Sequence, residues 1–106
     1  MSRSRIITDK DNLLDNIHPG EILRDDFLIG TDVGLEEVSS GAGINIEILS
    51  AILSQQQDID ANIDLRLGRY FGMSEGFFLR LQNSFDLEEQ RRAHGDALNQ
   101  ITKRAA

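Results

Sequence analysis

Two short segments with helical apolar stripes, joined by a glycine turn, constrain the fold of this chain more than any other feature. Leu35, Val38 and Ala42 recur at helical spacing and define one inward face. Gly43 suits a tight turn, and Asn45 is a good N-cap for the second helix. This arrangement is a helix-turn-helix, whose second helix can offer its N-terminal half to the major groove of DNA. A purely structural helical hairpin explains the spacing equally well.

Three further helices are predicted around this pair. Pro19 suits a first helical position and Glu21 a first turn, so a helix begins here and ends at Gly30. The remaining helix limits are indicated by capping or breaking residues, at Asp60 or Ala61, Gly72 and Ser74. No alternating pattern indicates a strand. The expected organisation is all-α, with an arm over 1–16, one helix-turn-helix domain over 17–87, and a charged helix or tail over 88–106 that frays after Gly95.

Composition excludes several classes of function. The chain has 106 residues, of which 40% are hydrophobic, and it has no cysteine. Thiol catalysis, disulfides and cysteine zinc sites are therefore excluded. His18 and His94 lack further ligands at useful spacing, and the carboxylates lack the spacing of a calcium loop, so no metal, cofactor or enzymatic activity is expected. No apolar stretch is long enough for a membrane span, and we expect a cytoplasmic protein.

Three separate motifs over residues 17–87 resemble those of the HigA/VapI group of antitoxins, a branch of the lambda-repressor-like (Xre-type) helix-turn-helix proteins. The first is Ile17-His18-Pro19-Gly20-Glu21-Ile22-Leu23 followed by Arg24. The second is Leu65-Arg66-Leu67 with Phe71-Gly72. The third joins Phe77-Phe78-Leu79, Leu81-Gln82-Asn83 and Phe85-Asp86-Leu87, with Phe78 where the group usually has tryptophan.

The resemblance implies a five-helix lambda-repressor-like DNA-binding domain with a C-terminal helical extension. It further implies a homodimer, a palindromic double-stranded DNA operator and a toxin protein as partners. The expected function is therefore that of an antitoxin-type transcriptional regulator that also neutralises a cognate toxin.

The expected DNA-contacting residues lie on the second helix of the pair and just beyond it. They are Asn45, Ile46, Glu47, Ser50, Ala51, Gln55, Gln56 and Gln57. Asparagine and glutamine can pair with adenine, glutamate with cytosine, and isoleucine with the thymine methyl group. A second set of aromatic and apolar residues at helical spacing is expected to form core or a dimer interface, namely Phe77, Phe78, Leu81 and Phe85.

The charge distribution is unusual for a DNA-binding protein. The formal net charge is −7, and no lysine or arginine lies between Arg24 and Arg66. That stretch carries nine acidic residues, Asp25, Asp26, Asp32, Glu36, Glu37, Glu47, Asp58, Asp60 and Asp64. DNA affinity depends largely on cationic phosphate contacts, and Arg3 and Arg5 of the arm can supply part of them. The alternative is that these two residues are only a solvated terminus. The alternative is a protein-interaction module that has lost strong DNA binding and presents its acidic face to a basic partner.

Overall fold

The chain folds into helices joined by short turns, in a computed structural model that describes residues 14–105. The first helix, α1 (Pro19–Ile22), continues directly into a π-helical segment, Leu23–Ile29. It is followed by α2 (Leu35–Ala42), α3 (Ile46–Leu53), α4 (Ala61–Phe71) and α5 (Phe77–Asn99). The described residues form no strand. The predicted all-α, five-helix fold is thus confirmed, and the π-helical turn of the first helix is a feature that the sequence did not indicate.

The core lies where α1 to α4 converge on the start of α5. Its centre is built from side chains that are fully buried, Leu23, Val38, Leu49, Ile52, Leu67 and Phe78. Phe27 and Phe71 pack edge-to-face against each other with ring centroids 5.1 Å apart, and Phe27 contacts Phe78 at 5.0 Å. These contacts explain why the apolar stripes of the separate segments are spaced as they are.

The beginning of α1 is fixed against α3. His18 is the N-cap, and its Nδ1 accepts a hydrogen bond from the Gly20 amide at 2.9 Å. Gly20 packs so closely on α3 that an alanine Cβ there would lie 1.8 Å from the Ile52 carbonyl oxygen. The His18-Pro19-Gly20 motif therefore sets how α3 is held by the rest of the domain.

The beginning of α5 is capped from another helix. Asp64, in the first turn of α4, is 2% exposed. Its carboxylate accepts hydrogen bonds from the backbone amides of Gly76 (2.7 Å), Phe78 (2.8 Å) and Leu79 (3.0 Å). The prediction that Ser74 caps α5 is wrong, because the helix begins only at Phe77 and its exposed amides are satisfied by Asp64.

The long helix α5 also organises the two ends of the described chain. Gln82 is buried, and its Oε1 accepts a hydrogen bond from the Ile59 amide at 2.7 Å, which fixes the loop after α3. Asn16 donates to the Phe85 carbonyl at 2.9 Å, and Arg92 donates to the Leu14 carbonyl. The helix passes the expected boundary after residue 87 without a break and ends at Asn99, although His94 has non-helical torsion angles.

None of the helices within residues 14–105 is long and apolar enough to cross a bilayer.

Candidate nucleic-acid interface

The turn between α2 and α3 has the short, fixed geometry of a helix-turn-helix. Gly43 caps α2 with a φ of 68°, a left-handed conformation that favours glycine. The Ile44 amide donates to the Ser39 carbonyl at 3.0 Å, and the Ser39 hydroxyl donates to the Ile44 carbonyl at 2.6 Å. Ile44 itself is buried. The turn is therefore held from both sides, and it fixes the direction in which α3 leaves α2.

Helix α3 buries one face and exposes the other. Leu49 and Ile52 are fully buried beneath it. On the outside, Ile46, Glu47 and Ser50 are exposed, and Ala51 is half-buried beside them. The structure brings these predicted contact residues together on one surface, which we call the α3 face.

Asn45 stands at the amino end of this surface. Its side-chain oxygen accepts hydrogen bonds from the amides of Glu47 (2.8 Å) and Ile48 (3.3 Å), as predicted for an N-cap. The amide NH2 group of Asn45 makes no hydrogen bond to any residue within the described range 14–105. It is therefore available to a ligand.

The three glutamines lie at the opposite end of α3. Gln55 has a φ of 67°, which turns the chain away from the helix. Gln55 and Gln56 are exposed, and Gln57 is half-buried. A helix of eight residues separates them from Asn45, a distance of about 12 Å at the usual rise per residue. They extend the α3 face along its length rather than adding to its amino end.

One cation from outside the cation-free stretch reaches the turn. Arg66, on α4, donates through Nη1 to the carbonyl oxygens of Ala42 (3.4 Å) and Gly43 (3.2 Å). Its Nε donates to the Asn62 side-chain oxygen at 2.9 Å. The sequence placed Arg66 in the α4 motif only, because nothing in it showed that α4 passes the carboxyl end of α2.

Three of the nine acidic residues cap helices. Besides the buried Asp64, Asp60 caps α4 by accepting from the Ile63 amide at 2.9 Å. Glu37 accepts from the Gly34 amide at the start of α2 at 3.0 Å. A carboxylate at a helix N-terminus is stabilised by the exposed amides there. Glu47 lies in the first turn of α3 and is exposed on the α3 face itself.

The residues predicted for a dimer interface are placed at the start of α5. Phe78 is fully buried in the core of its own chain, so its ring is not available to a second copy. Phe77, Leu81 and Phe85 are half-buried, and a dimer contact through them stays a prediction. Arg3 and Arg5 lie outside the described residues.

Comparison with known proteins gives consistent relatives. Virulence-associated protein I of Dichelobacter nodosus is 32% identical to this chain over 77 residues, which cover 73% of this chain and 71% of that protein. The solved structure of Pseudomonas aeruginosa antitoxin HigA with the higBA promoter has 32% identity and a TM-score of 0.78, covering 87% of this chain and 100% of that one. Antitoxin GraA in complex with its operator has 29% identity and a TM-score of 0.77, covering 87% and 93%. No protein-family profile matches the chain.

Proposed function

Because this chain belongs to the HigA/VapI-type antitoxins of the lambda-repressor-like (Xre-type) helix-turn-helix family, we propose that it is a transcriptional regulator that binds operator DNA as a homodimer. The α3 face carries this proposal. It is solvent-exposed, it is held rigidly by the turn and by Gly20, and it has the position of a recognition helix. The structures of two proteins similar to this chain, HigA and GraA, have been solved with promoter or operator DNA.

The proposed mode of recognition is direct contact with base edges. Asn45 and the glutamines of residues 55–57 offer amide groups suited to adenine, and Glu47 can accept from the amino group of cytosine. Ile46, with 38% of its surface exposed, can contact a thymine methyl group. Because Glu47 repels phosphates, we expect sequence-specific base contacts to contribute more to DNA affinity than non-specific phosphate contacts do.

The proposed dimer uses the exposed apolar residues of α5 and its end. Leu87, Leu98 and Ile101 are 58%, 44% and 71% exposed, and nothing within the described chain covers them. Leu87 and Leu98 are both exposed on α5, on either side of the kink at His94. In a dimer formed by a second copy packed there, each of the two α3 faces would contact one half-site of a palindromic operator.

Regulation by DNA binding requires no reaction chemistry, cofactor or metal, and we propose that the protein is not an enzyme. We also propose that the protein is cytoplasmic, because operator DNA is found in that compartment.

Titration of a fluorescent promoter duplex, read by anisotropy at several salt concentrations, tests the proposed function. The expected result is saturable binding of the promoter duplex and much weaker binding of a random duplex. A flat signal for both duplexes at low salt would contradict the proposal.

The N-terminal arm is proposed to add phosphate contacts through Arg3 and Arg5. Deletion of residues 1–10 should weaken operator binding and flatten its dependence on salt, because fewer counterions are released from the DNA. Unchanged affinity and slope would show that the arm makes no contact.

A second candidate function is binding of a basic protein, such as a cognate toxin. Ile29 is 69% exposed and lines a surface depression together with Asp32 and Arg24. Asp26, near Ile29 on the same helical segment, is exposed as well. An exposed apolar residue with acidic neighbours suits a basic partner.

Co-expression with the product of the neighbouring open reading frame, followed by size-exclusion chromatography, tests the second candidate. Co-elution that is lost in Ile29→Glu and kept in Ile46→Glu would place the partner on this depression. If the two proteins never co-elute, this reading fails.

A further inference from the structure

We propose that the depression between the α2–α3 turn and α4 binds one phosphate group of the DNA backbone. This inference rests on the proposed function and goes beyond it, because it assigns a role to two α4 residues, Asn62 and Arg66. We call the depression the turn pocket.

The turn pocket is small, with a volume of about 170 Å³. Arg66, Asn62 and Asn45 supply its polar groups, and its apolar wall comes from Ile44, Ile48 and Ile63. No carboxylate lines it. Next to a stretch of chain with nine acids and no cation, the fold thus places Arg66 and two amides around one concavity.

The hydrogen bonds inside the chain leave mainly donors facing a ligand. The side-chain oxygen of Asn45 is occupied by the amides of Glu47 and Ile48. The side-chain oxygen of Asn62 is occupied by Nε of Arg66. The NH2 groups of both asparagines and Nη2 of Arg66 make no hydrogen bond to any residue of 14–105. A group with several acceptor oxygens and negative charge matches this set.

Arg66 is already held in place before a ligand arrives. Its three internal hydrogen bonds orient the guanidinium, so that little further side-chain freedom is lost on binding. Gly43 contributes as well, because an alanine Cβ there would lie 2.8 Å from Nη1 of Arg66.

The location favours a backbone phosphate over a free one. The turn pocket adjoins Asn45, at the end of α3 that would enter the major groove. Phosphates line both edges of that groove, and protein contacts to them fix the register of a recognition helix. Arg66 would then supply the cation that the α3 face itself lacks.

The test compares Arg66→Gln with Arg69→Gln in operator titrations over a range of salt concentrations. Arg69 is a matched control, since it is on the same helix, is exposed and, among residues 14–105, pairs only with Glu75 at 3.2 Å. Arg66→Gln should weaken operator binding about tenfold or more, because a charge-assisted hydrogen bond is lost in each protomer. It should also reduce the magnitude of the salt slope by about 1.8 per dimer, from one phosphate contact per protomer. Arg69→Gln should change neither quantity.

Two further measurements separate phosphate binding from a structural role of Arg66, and a third separates a DNA phosphate from free phosphate. Thermal unfolding of each variant reports whether the turn is still folded. Asn62→Ala removes an uncharged donor, so binding should weaken while the salt slope stays as in the unmodified protein. Inorganic phosphate at matched ionic strength should not displace the operator duplex.

The outcomes distinguish this inference from the proposed function. Failure of the unmodified protein to bind the operator overturns both. If the unmodified protein binds but Arg66→Gln and Arg69→Gln have the same slope, only the turn pocket is overturned. Displacement by inorganic phosphate would overturn the assignment to the DNA backbone.

Discussion

The carboxylate of Asp64 accepts three backbone hydrogen bonds at the start of α5, from a side chain that is almost entirely buried. A buried charge is tolerated only where such partners satisfy it. Asp60 and Glu37 serve neighbouring helices in the same way. Part of the acidity between Arg24 and Arg66 therefore stabilises helices, and the carboxylate of Asp64 is buried away from the surface.

Asp64→Ala should destabilise the protein by about 3 kcal/mol, because three amides lose their acceptor in a buried setting. Urea denaturation followed by circular dichroism measures the change. Asp26→Ala is the matched control, since Asp26 is exposed, and it should change stability by less than about 0.5 kcal/mol. Equal effects of the two substitutions would contradict the capping role.

Glu88 carries a pH-dependent contribution on α5. Side-chain hydrogen bonds from Arg92 and then Arg91 lower the pKa of Glu88 below its ordinary value. A lowered pKa in the folded state means that the contribution is present above the unfolded pKa and is lost as pH falls through the folded pKa. Glu88→Gln should therefore reduce the thermal midpoint slightly at pH 7 and by less at pH 3. An equal reduction at both pH values would contradict this.

Residues whose role is local could be predicted from the sequence, and those that act across the fold could not. Gly43 and Asn45 were identified as turn and cap, because both act on amides and torsions next to them in the chain. Asp64 and Arg66 act on residues 12 to 24 positions away. No periodicity shows which helix these two side chains contact. From the sequence alone, Asp64 is one of nine acidic residues and Arg66 is part of the α4 motif.

At the scale of elements, the contact between α1 and α3 determines how the α3 face is presented. Gly20 lets the two backbones approach, and His18 and Pro19 begin α1 at that point. The start of α1 was predictable from these residues. The closeness of the contact was not, since the sequence gives a reason for glycine only where a turn or cap is recognisable.

Gly20→Ala should cost about 3 kcal/mol or more, because the added Cβ overlaps the Ile52 carbonyl oxygen and cannot be relieved by a rotamer change. Gly95→Ala is the matched control in α5, where an added Cβ meets no atom within 4 Å. It should stabilise the protein by about 0.5–1 kcal/mol through helix propensity. Chemical denaturation of both variants measures the difference, and a tolerated Gly20→Ala would contradict the close contact.

At the scale of the whole molecule, the exposed apolar residues of α5 and the net charge of −7 set the conditions for assembly. Exposed apolar residues that cluster on a surface are typical of an interface. The expected interface at Phe77, Leu81 and Phe85 lies in the first half of α5, where Phe77 and Leu81 already pack in part against their own core. We therefore expect the dimer interface to include Leu87 and Leu98.

Leu98→Glu should convert the dimer into a monomer, because a charge would be buried at the contact. Size-exclusion chromatography with light scattering measures the mass. Ile29→Glu is the control, since Ile29 is also an exposed apolar residue but lies before α2, and the mass of this variant should stay that of the dimer. If Leu98→Glu is still a dimer, the interface does not include Leu98.

We propose that the α3 face contacts operator DNA despite its lack of cations. Amide chemical shifts of the isotope-labelled protein, recorded while operator duplex is added, test it most directly. We expect the largest changes in amide chemical shift at residues 45–57 and at Asn62 and Arg66, and small changes at the acidic start of α2. Specific binding that leaves residues 45–57 unshifted would contradict it.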